Sequence, residues 1–121
     1  MTDNKLYRIK TAYLRNESLR SEDIELYVED LGKFSVTDGM IFDRNGNLYM
    51  GDYQNYKMIR ITPNLGKEDL VTDERLIWPD SYSISPNDYL YISCSQINKQ
   101  PDYNEGENKR TSPYTIYRIK I

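Results

Sequence analysis

Histidine is absent from this sequence of 121 residues, and cysteine occurs once, at Cys94. Without a second cysteine no disulfide can form within these residues. Without histidine neither a Cys/His zinc site nor a Ser-His-Asp triad can be built, and histidine acid–base catalysis is excluded. Any metal site would consist of oxygen ligands, as in calcium or magnesium sites.

Long apolar runs and an excess of one charge are also missing. No run approaches the roughly 18 apolar residues of a membrane-spanning helix, and the start "MTDNKLYRIK" has no apolar segment typical of a signal peptide. The net charge is −3 and both signs are interspersed, so no basic stripe indicates nucleic-acid binding. We therefore predict no membrane span and no nucleic-acid partner.

Tyrosine is abundant, with 12 residues, and many stand beside an aliphatic residue, as in Leu6-Tyr7 and Leu48-Tyr49. Short runs of aromatic and β-branched residues favour the half-buried surface of a strand. At this length and 38% apolar content the chain corresponds to no more than one domain. We expect most tyrosines to pack within sheets.

The chain repeats itself at an offset of 42 residues, where "TDGMIFDRNGNLYMGD" (37–52) matches "PDSYSISPNDYLYISC" (79–94). Gly46 is matched by Asp88, and both residues tolerate a left-handed backbone. A second echo links "LYRIK" (6–10), "MIRIT" (58–62) and "IYRIK" (116–120), each alternating apolar and polar residues as a half-buried strand does.

A period near 40 to 45 residues with about four short strands per unit is typical of a β-propeller blade. The predicted strands are 6–10, 25–29, 39–42, 48–51, 58–62, 69–72, 82–85, 90–93 and 115–121, with one helical turn within 11–23. The stretch "IELYVEDLG" (24–32) suits either a helix or a strand, and the repeat favours the strand. The prediction is an all-β partial β-propeller of about two to two and a half four-stranded antiparallel blades: a partial blade over 1–36, a full blade over 37–78 and an incomplete last blade over 79–121.

Four stretches resemble the C-terminal part of the major royal jelly protein / yellow family: "LYRIKTAYLR", "VEDLGKFSVTDGMIFDRNGNLYMGDYQNYKMIRITP", "WPDSYSISPNDYLYIS" and "SPYTIYRIKI". The resemblance covers nearly the whole chain. It implies a portion of a six-bladed propeller from a mostly secreted family, although no signal peptide is visible here. Some members of the family resemble dopachrome-converting enzymes, others have nutritional or signalling roles, and salivary members bind biogenic amines in the central channel.

The family comparison implies a ligand site at the channel, where inner strands and their loops meet. It would bring Asp38, Asp80 and Ser81 to the channel mouth, with Asp52 and Ser95 at the ends of the second strands. Ser81 matches a hydroxyl residue of the amine-binding relatives, whereas Ser95 stands where they have Asn. We expect these five residues to bind a small, amine-like molecule, with no metal ligand, cofactor or catalytic residue assigned.

Structural interpretations compete with the functional ones. Asp38 and Asp80 could form Asx-turns with neighbouring backbone, and Asp43 with Asn45 could form a hairpin turn. Trp78 is expected to be a packing anchor between blades, Cys94 is expected to be a small buried residue, and 98–113 is expected to be a polar loop.

The leading functional hypothesis is a non-catalytic binding or structural protein that is completed by self-association or by complementing propeller blades. Unpaired strand edges in an incomplete propeller motivate it. The alternative is an enzyme that needs the missing blades, either dopachrome-tautomerase-like or resembling the metal-dependent lactonases, whose six-bladed propellers hold one divalent ion at the channel.

Overall fold

A computed structural model describes residues 3–121. Among these residues, strands account for 38% and helices for 13%, and the strands form three antiparallel sheets, none of which closes on itself. The predicted all-β class is therefore confirmed. The strands are β1 (Lys5–Arg8), β2 (Glu29–Lys33), β3 (Met40–Phe42), β4 (Leu48–Asp52), β5 (Lys57–Ile61), β6 (Lys67–Thr72), β7 (Pro79–Ile84), β8 (Tyr89–Cys94) and β9 (Ile116–Lys120). The helices are α1 (Thr11–Leu14) and α2 (Ser21–Glu25), and two single 3₁₀ turns cover Ile97–Lys99 and Pro101–Tyr103.

The chain divides into two compact units, the first ending at Ser35 and the second covering Val36–Ile121. In the first unit β1 and β2 form a two-stranded sheet in which Arg8 lies opposite Glu29. The helices α1 and α2 lie between these strands in the sequence, and α1 is the helical turn that the sequence predicted.

The predicted strand at 25–29 is wrong. Residues Ser21–Glu25 form α2, and the strand that pairs with β1 begins only at Glu29. The Asp23 carboxylate accepts the backbone N–H of Arg20 at 3.2 Å, which satisfies a donor at the start of the helix. Glu22 and Asp23 also place negative charge in the first turn, where the helix dipole favours it.

The second unit contains a four-stranded sheet of order β3-β4-β5-β6 and a three-stranded sheet of order β7-β8-β9. Because side chains alternate between the faces of a strand, one face of each sheet contributes to a shared core. Its buried members are Tyr49, Met58, Leu76, Leu90, Ile92 and Cys94. Burying an aliphatic or aromatic side chain of this size contributes about 1.5–3 kcal/mol.

Two glycines allow the two sheets to approach each other closely. A Cβ on Gly51 would lie 2.5 Å from the Pro79 Cβ and 2.6 Å from the Tyr82 hydroxyl. A Cβ on Gly39 would overlap the backbone carbonyl oxygen of Asp80. The Gly51 N–H donates to the Tyr82 hydroxyl at 3.0 Å, so backbone of one sheet is bonded directly to a side chain of the other.

The two matched hairpins turn as the sequence predicts. The Asp43 carboxylate accepts the backbone N–H groups of Asn45 and Asn47 at 2.8 and 2.9 Å. Gly46 and Asp88 both have positive φ, 81° and 60°, which confirms the left-handed backbone expected at this matched pair.

Candidate functional site

The predicted site residues lie at one end of the two sheets of the second unit. Met40 pairs with Met50, so Asp38, before β3, and Asp52, at the end of β4, lie at the same end. Pro79 pairs with Cys94 in the neighbouring sheet. The remaining predicted residues Asp80, Ser81 and Ser95 therefore lie at this end too, which we call the acidic end.

Trp78 links the two sheets at the acidic end. Its ring stacks on Tyr53 with centroids 4.0 Å apart and planes 14° apart. Its indole N–H donates to the Asp38 carboxylate at 2.8 Å, a hydrogen bond strengthened by the charge of the acceptor. Trp78 therefore packs between the two sheets, and Asp38 accepts the hydrogen bond that fixes its ring.

Asp52 is buried, with 6% of its surface exposed, and it shapes the turn after β4. One carboxylate oxygen accepts the backbone N–H groups of Gln54 and Asn55 at 3.2 and 3.0 Å. The other oxygen accepts the Asn55 side-chain amide at 2.8 Å. A ligand at Asp52 would have to share these oxygens.

The serines at the acidic end differ in their hydrogen bonding. The exposed Ser81 donates its backbone N–H to the Ser93 hydroxyl at 3.2 Å, and its own hydroxyl lies 3.4 Å from an Asp80 oxygen. The Ser95 hydroxyl is buried and has no hydrogen-bond partner among residues 3–121. An unpaired buried hydroxyl is unfavourable, and because the Ser95 hydroxyl is buried it does not face a ligand at the surface.

The acidic end is electronegative. Burial raises the pKa of the Tyr53 phenol, and the charges of Asp38 and Asp52 raise it further. Burial, followed by the charge of Asp80, raises the pKa of the Cys94 thiol to about 11. Carboxylates close to a stacked tyrosine and tryptophan pair form an environment that attracts an organic cation.

A cavity of about 550 Å³ lies at the opposite end of the two sheets, between the turns after β3 and β7. The Arg44 guanidinium and the Asp88 carboxylate, 2.7 Å apart, connect these turns. A second cavity of about 240 Å³ adjoins Cys94 and Tyr117. Neither cavity includes any of the five predicted residues. The sequence analysis did not predict the larger cavity. The only feature of the sequence that points to it is the pair of matched turns, 43–47 and 85–88, that line it.

Among residues 3–121, no three His, Cys, Asp or Glu side chains lie together in a group that could hold a metal ion. The same residues contain no helix with the length and apolarity needed to cross a membrane.

The described residues form a β-rich fold of three antiparallel sheets, and one end of two of these sheets carries acidic and aromatic side chains. No protein-family model matches the chain, and no curated protein matches it.

Proposed function

We propose that this chain is a portion of a β-propeller of the royal jelly/yellow type with a non-catalytic, small-molecule-binding or structural role. The packing of the two sheets in the second unit carries the proposal. Tyr49 pairs with Ile41 in one sheet as Tyr91 pairs with Ser83 in the next, and the two sheets share a core along their faces. Successive blades of a propeller repeat their strands and pack in this way.

The ligand that suits the acidic end is a small aromatic amine. The Asp38, Asp52 and Asp80 carboxylates supply negative charge, and Trp78 with Tyr53 supplies aromatic surface. A cation is attracted both by the carboxylates and by the faces of the rings.

The test is a titration with tyramine and with tyrosol, its neutral analogue, in which a hydroxyl replaces the amine. Trp78 is the only tryptophan, so its fluorescence reports binding directly, and calorimetry provides the affinity. We expect tyramine to bind about tenfold or more tightly than tyrosol, and added salt to weaken it. Asp80→Asn should weaken tyramine binding, whereas Asp102→Asn, on an exposed 3₁₀ turn, should not. Equal affinity for both compounds, or no binding of either, would contradict the ligand proposal.

We also propose that other strands complete the molecule, either from further copies or from complementing blades. The three sheets have two, four and three strands, and unpaired edges favour pairing with other chains. Size-exclusion chromatography with light scattering should reveal oligomers whose mass rises with concentration. A monomer at every concentration would contradict self-association.

Dopachrome conversion or lactone hydrolysis by the pure chain would contradict the non-catalytic role. Secretion stays a prediction from the family resemblance.

A further inference from the structure

Two ion pairs connect β1 with β2 in the first unit, each between a basic residue of β1 and an acidic residue of β2. Arg8 contacts Glu29 at 2.6 Å, and Lys5 contacts Asp30 at 2.7 Å. Arg8 lies directly opposite Glu29 and Tyr7 opposite Asp30, and the register then shifts by a bulge. Because facing residues in a sheet share a side, the arginine pair lies on the opposite side of the sheet from Tyr7.

The same arrangement connects β5 with the outer strand β6 in the second unit. The Arg60 Nε donates to Glu68 at 3.1 Å, and Lys57 contacts Asp69 at 2.7 Å. Arg60 lies opposite Glu68 and Ile59 opposite Asp69, again followed by a shift in register. Both outer strands carry the tripeptide Glu-Asp-Leu, at 29–31 and 68–70. This tripeptide faces the Lys-x-x-Arg pattern of the neighbouring strand in both sheets.

The third sheet has the arginine of this pattern but not the acidic strand. In "IYRIK" of β9, Arg118 occupies the position of Arg8 and Arg60 in the echoed sequences. Arg118 lies opposite Tyr91, as Arg60 lies opposite Tyr49. β9 is the last strand of its sheet. The ion pairs within residues 3–121 do not include Arg118, whose guanidinium is 4.9 Å from the Tyr89 ring.

We propose that the free edge of β9 binds an acidic, extended segment of a polypeptide other than this chain as an antiparallel fourth strand, with Glu opposite Arg118 and Asp opposite Tyr117. Main-chain hydrogen bonds to an exposed sheet edge provide affinity in this mode of binding. The charge pairs set the register and select the partner. Thr115 replaces the lysine of the other two sheets, so the segment forms one ion pair here instead of two.

The exposure of the edge agrees with this occupant. Ile116, on the edge strand, has 69% of its surface exposed, and the adjacent Tyr114 has 56%. An edge with exposed apolar residues and an arginine lacking a carboxylate partner is suited to an acidic strand that also covers apolar surface. The inference rests on the proposed completion of the molecule by other polypeptides, but it does not require the amine site.

The probe is a fluorescein-labelled peptide, Leu-Gly-Lys-Glu-Asp-Leu-Val-Thr-Asp, which is the β6 sequence of residues 65–73. Its fluorescence anisotropy is measured against the full chain, beside a control peptide with Gln-Asn in place of Glu-Asp. We expect the acidic peptide to bind about tenfold or more tightly than the control. Hydrogen exchange should show new protection of the β9 amides when the acidic peptide is bound.

Charge reversal distinguishes a specific ion pair at Arg118 from an effect of the net charge of the chain. Arg118→Glu should reduce binding of the acidic peptide about tenfold or more, and a peptide with Arg in place of Glu should restore it. Lys109→Glu changes the net charge equally, at an exposed residue of the loop before β9, and should leave binding unchanged. Circular dichroism checks that both variants remain folded.

Equal binding of the acidic and control peptides, or no restoration by the charge-reversed peptide, would overturn the inference. If the peptide does not bind but Arg118→Glu abolishes self-association, the occupant is a second copy of this chain, which also overturns the proposal as stated. Tyramine binding is measured separately. A failure at the β9 edge and a failure of the amine site are therefore distinguishable.

Discussion

Trp78 connects the two sheets of the second unit through contacts with Tyr53 and Asp38, which lie far from it in the sequence. Replacing it with Phe keeps an aromatic ring over Tyr53 but removes the donor to Asp38. Because hydrogen bonds to charged groups contribute about 1.5–3 kcal/mol when buried and this one is partly buried, we expect Trp78→Phe to lower the free energy of unfolding by about 1–2 kcal/mol. Urea denaturation followed by circular dichroism measures the loss. Asp38→Asn retains an acceptor oxygen and should cost less, so a larger loss in Asp38→Asn would contradict this assignment.

Asp43 makes stability depend on pH. Burial acts to raise its pKa, but hydrogen bonds from Asn47, Asn45 and Tyr49 outweigh burial and lower it. Since the pKa is lower in the folded chain than the value of about 3.9 in the unfolded chain, the stabilisation is complete above that value. It is lost as the pH falls through the folded pKa. The difference in melting temperature between the native chain and Asp43→Asn should shrink from pH 6 toward about pH 2. A difference independent of pH would contradict this.

Cys94 is expected to react slowly while the chain is folded. The residue is 7% exposed, and burial raises the pKa of its thiol to about 11. The thiolate fraction at pH 8 is then about two orders of magnitude below that of a free cysteine with a pKa of about 8.5. Reaction with a thiol-specific disulfide reagent should be slower by about that factor in buffer than in denaturant. Similar rates in the two conditions would show that the thiol is accessible.

At the scale of the elements, the contact between the two sheets depends on Gly51. A Cβ there would overlap Pro79 and the Tyr82 hydroxyl, and overpacking of this kind typically costs about 1–3 kcal/mol. We expect Gly51→Ala to lower the free energy of unfolding by that amount. The matched control is Gly66→Ala, where the new Cβ would meet only the Thr62 hydroxyl, at 3.0 Å. Equal losses in the two variants would show that the contact between the sheets is not the cause.

The strands that sequence could predict are those whose alternation and turn residues agree. In β3 and β4 the apolar period is two, and Asp43 with Gly46 defines the turn, so the hairpin was predicted almost to its ends. In 24–28 the alternation of apolar residues indicated a strand. The charges of Glu22 and Asp23 and the Arg20 contact instead favour a helix, which ends before the strand begins. Local hydrogen bonds outweighed the apolar period there.

The candidate site could be located from sequence but not described. The family comparison, together with the repeat, predicted that Asp38, Asp52 and Asp80 lie at one end, and the strand pairing places them there. It did not predict the Trp78–Asp38 hydrogen bond, which depends on how the two sheets pack. The Glu-Asp-Leu tripeptide shared by the outer strands has no evident role in the sequence alone, because its role depends on the register with Arg8 and Arg60.

At the scale of the whole molecule, the two compact units differ in their capacity to fold alone. All members of the shared core lie within Val36–Ile121, and three or more strands with an apolar face support independent stability. We expect a truncated chain of residues 36–121 to unfold cooperatively with the circular dichroism of a β protein. A chain of residues 1–35 holds a two-stranded sheet, which is marginal alone, and should lack a cooperative transition. Loss of cooperative unfolding in 36–121 would contradict this.

The repeated pairing of Glu-Asp-Leu with Lys-x-x-Arg has a consequence for the order of folding. Either acidic strand suits either basic strand, so side chains alone do not select between β2 and β6. Chain connectivity does: β5 and β6 are separated only by residues 62–66, whereas β1 and β2 are separated by 9–28. Closing the shorter loop loses less entropy, so the β5–β6 hairpin should form first. Once formed, it leaves β2 as the one acidic strand that β1 can recruit.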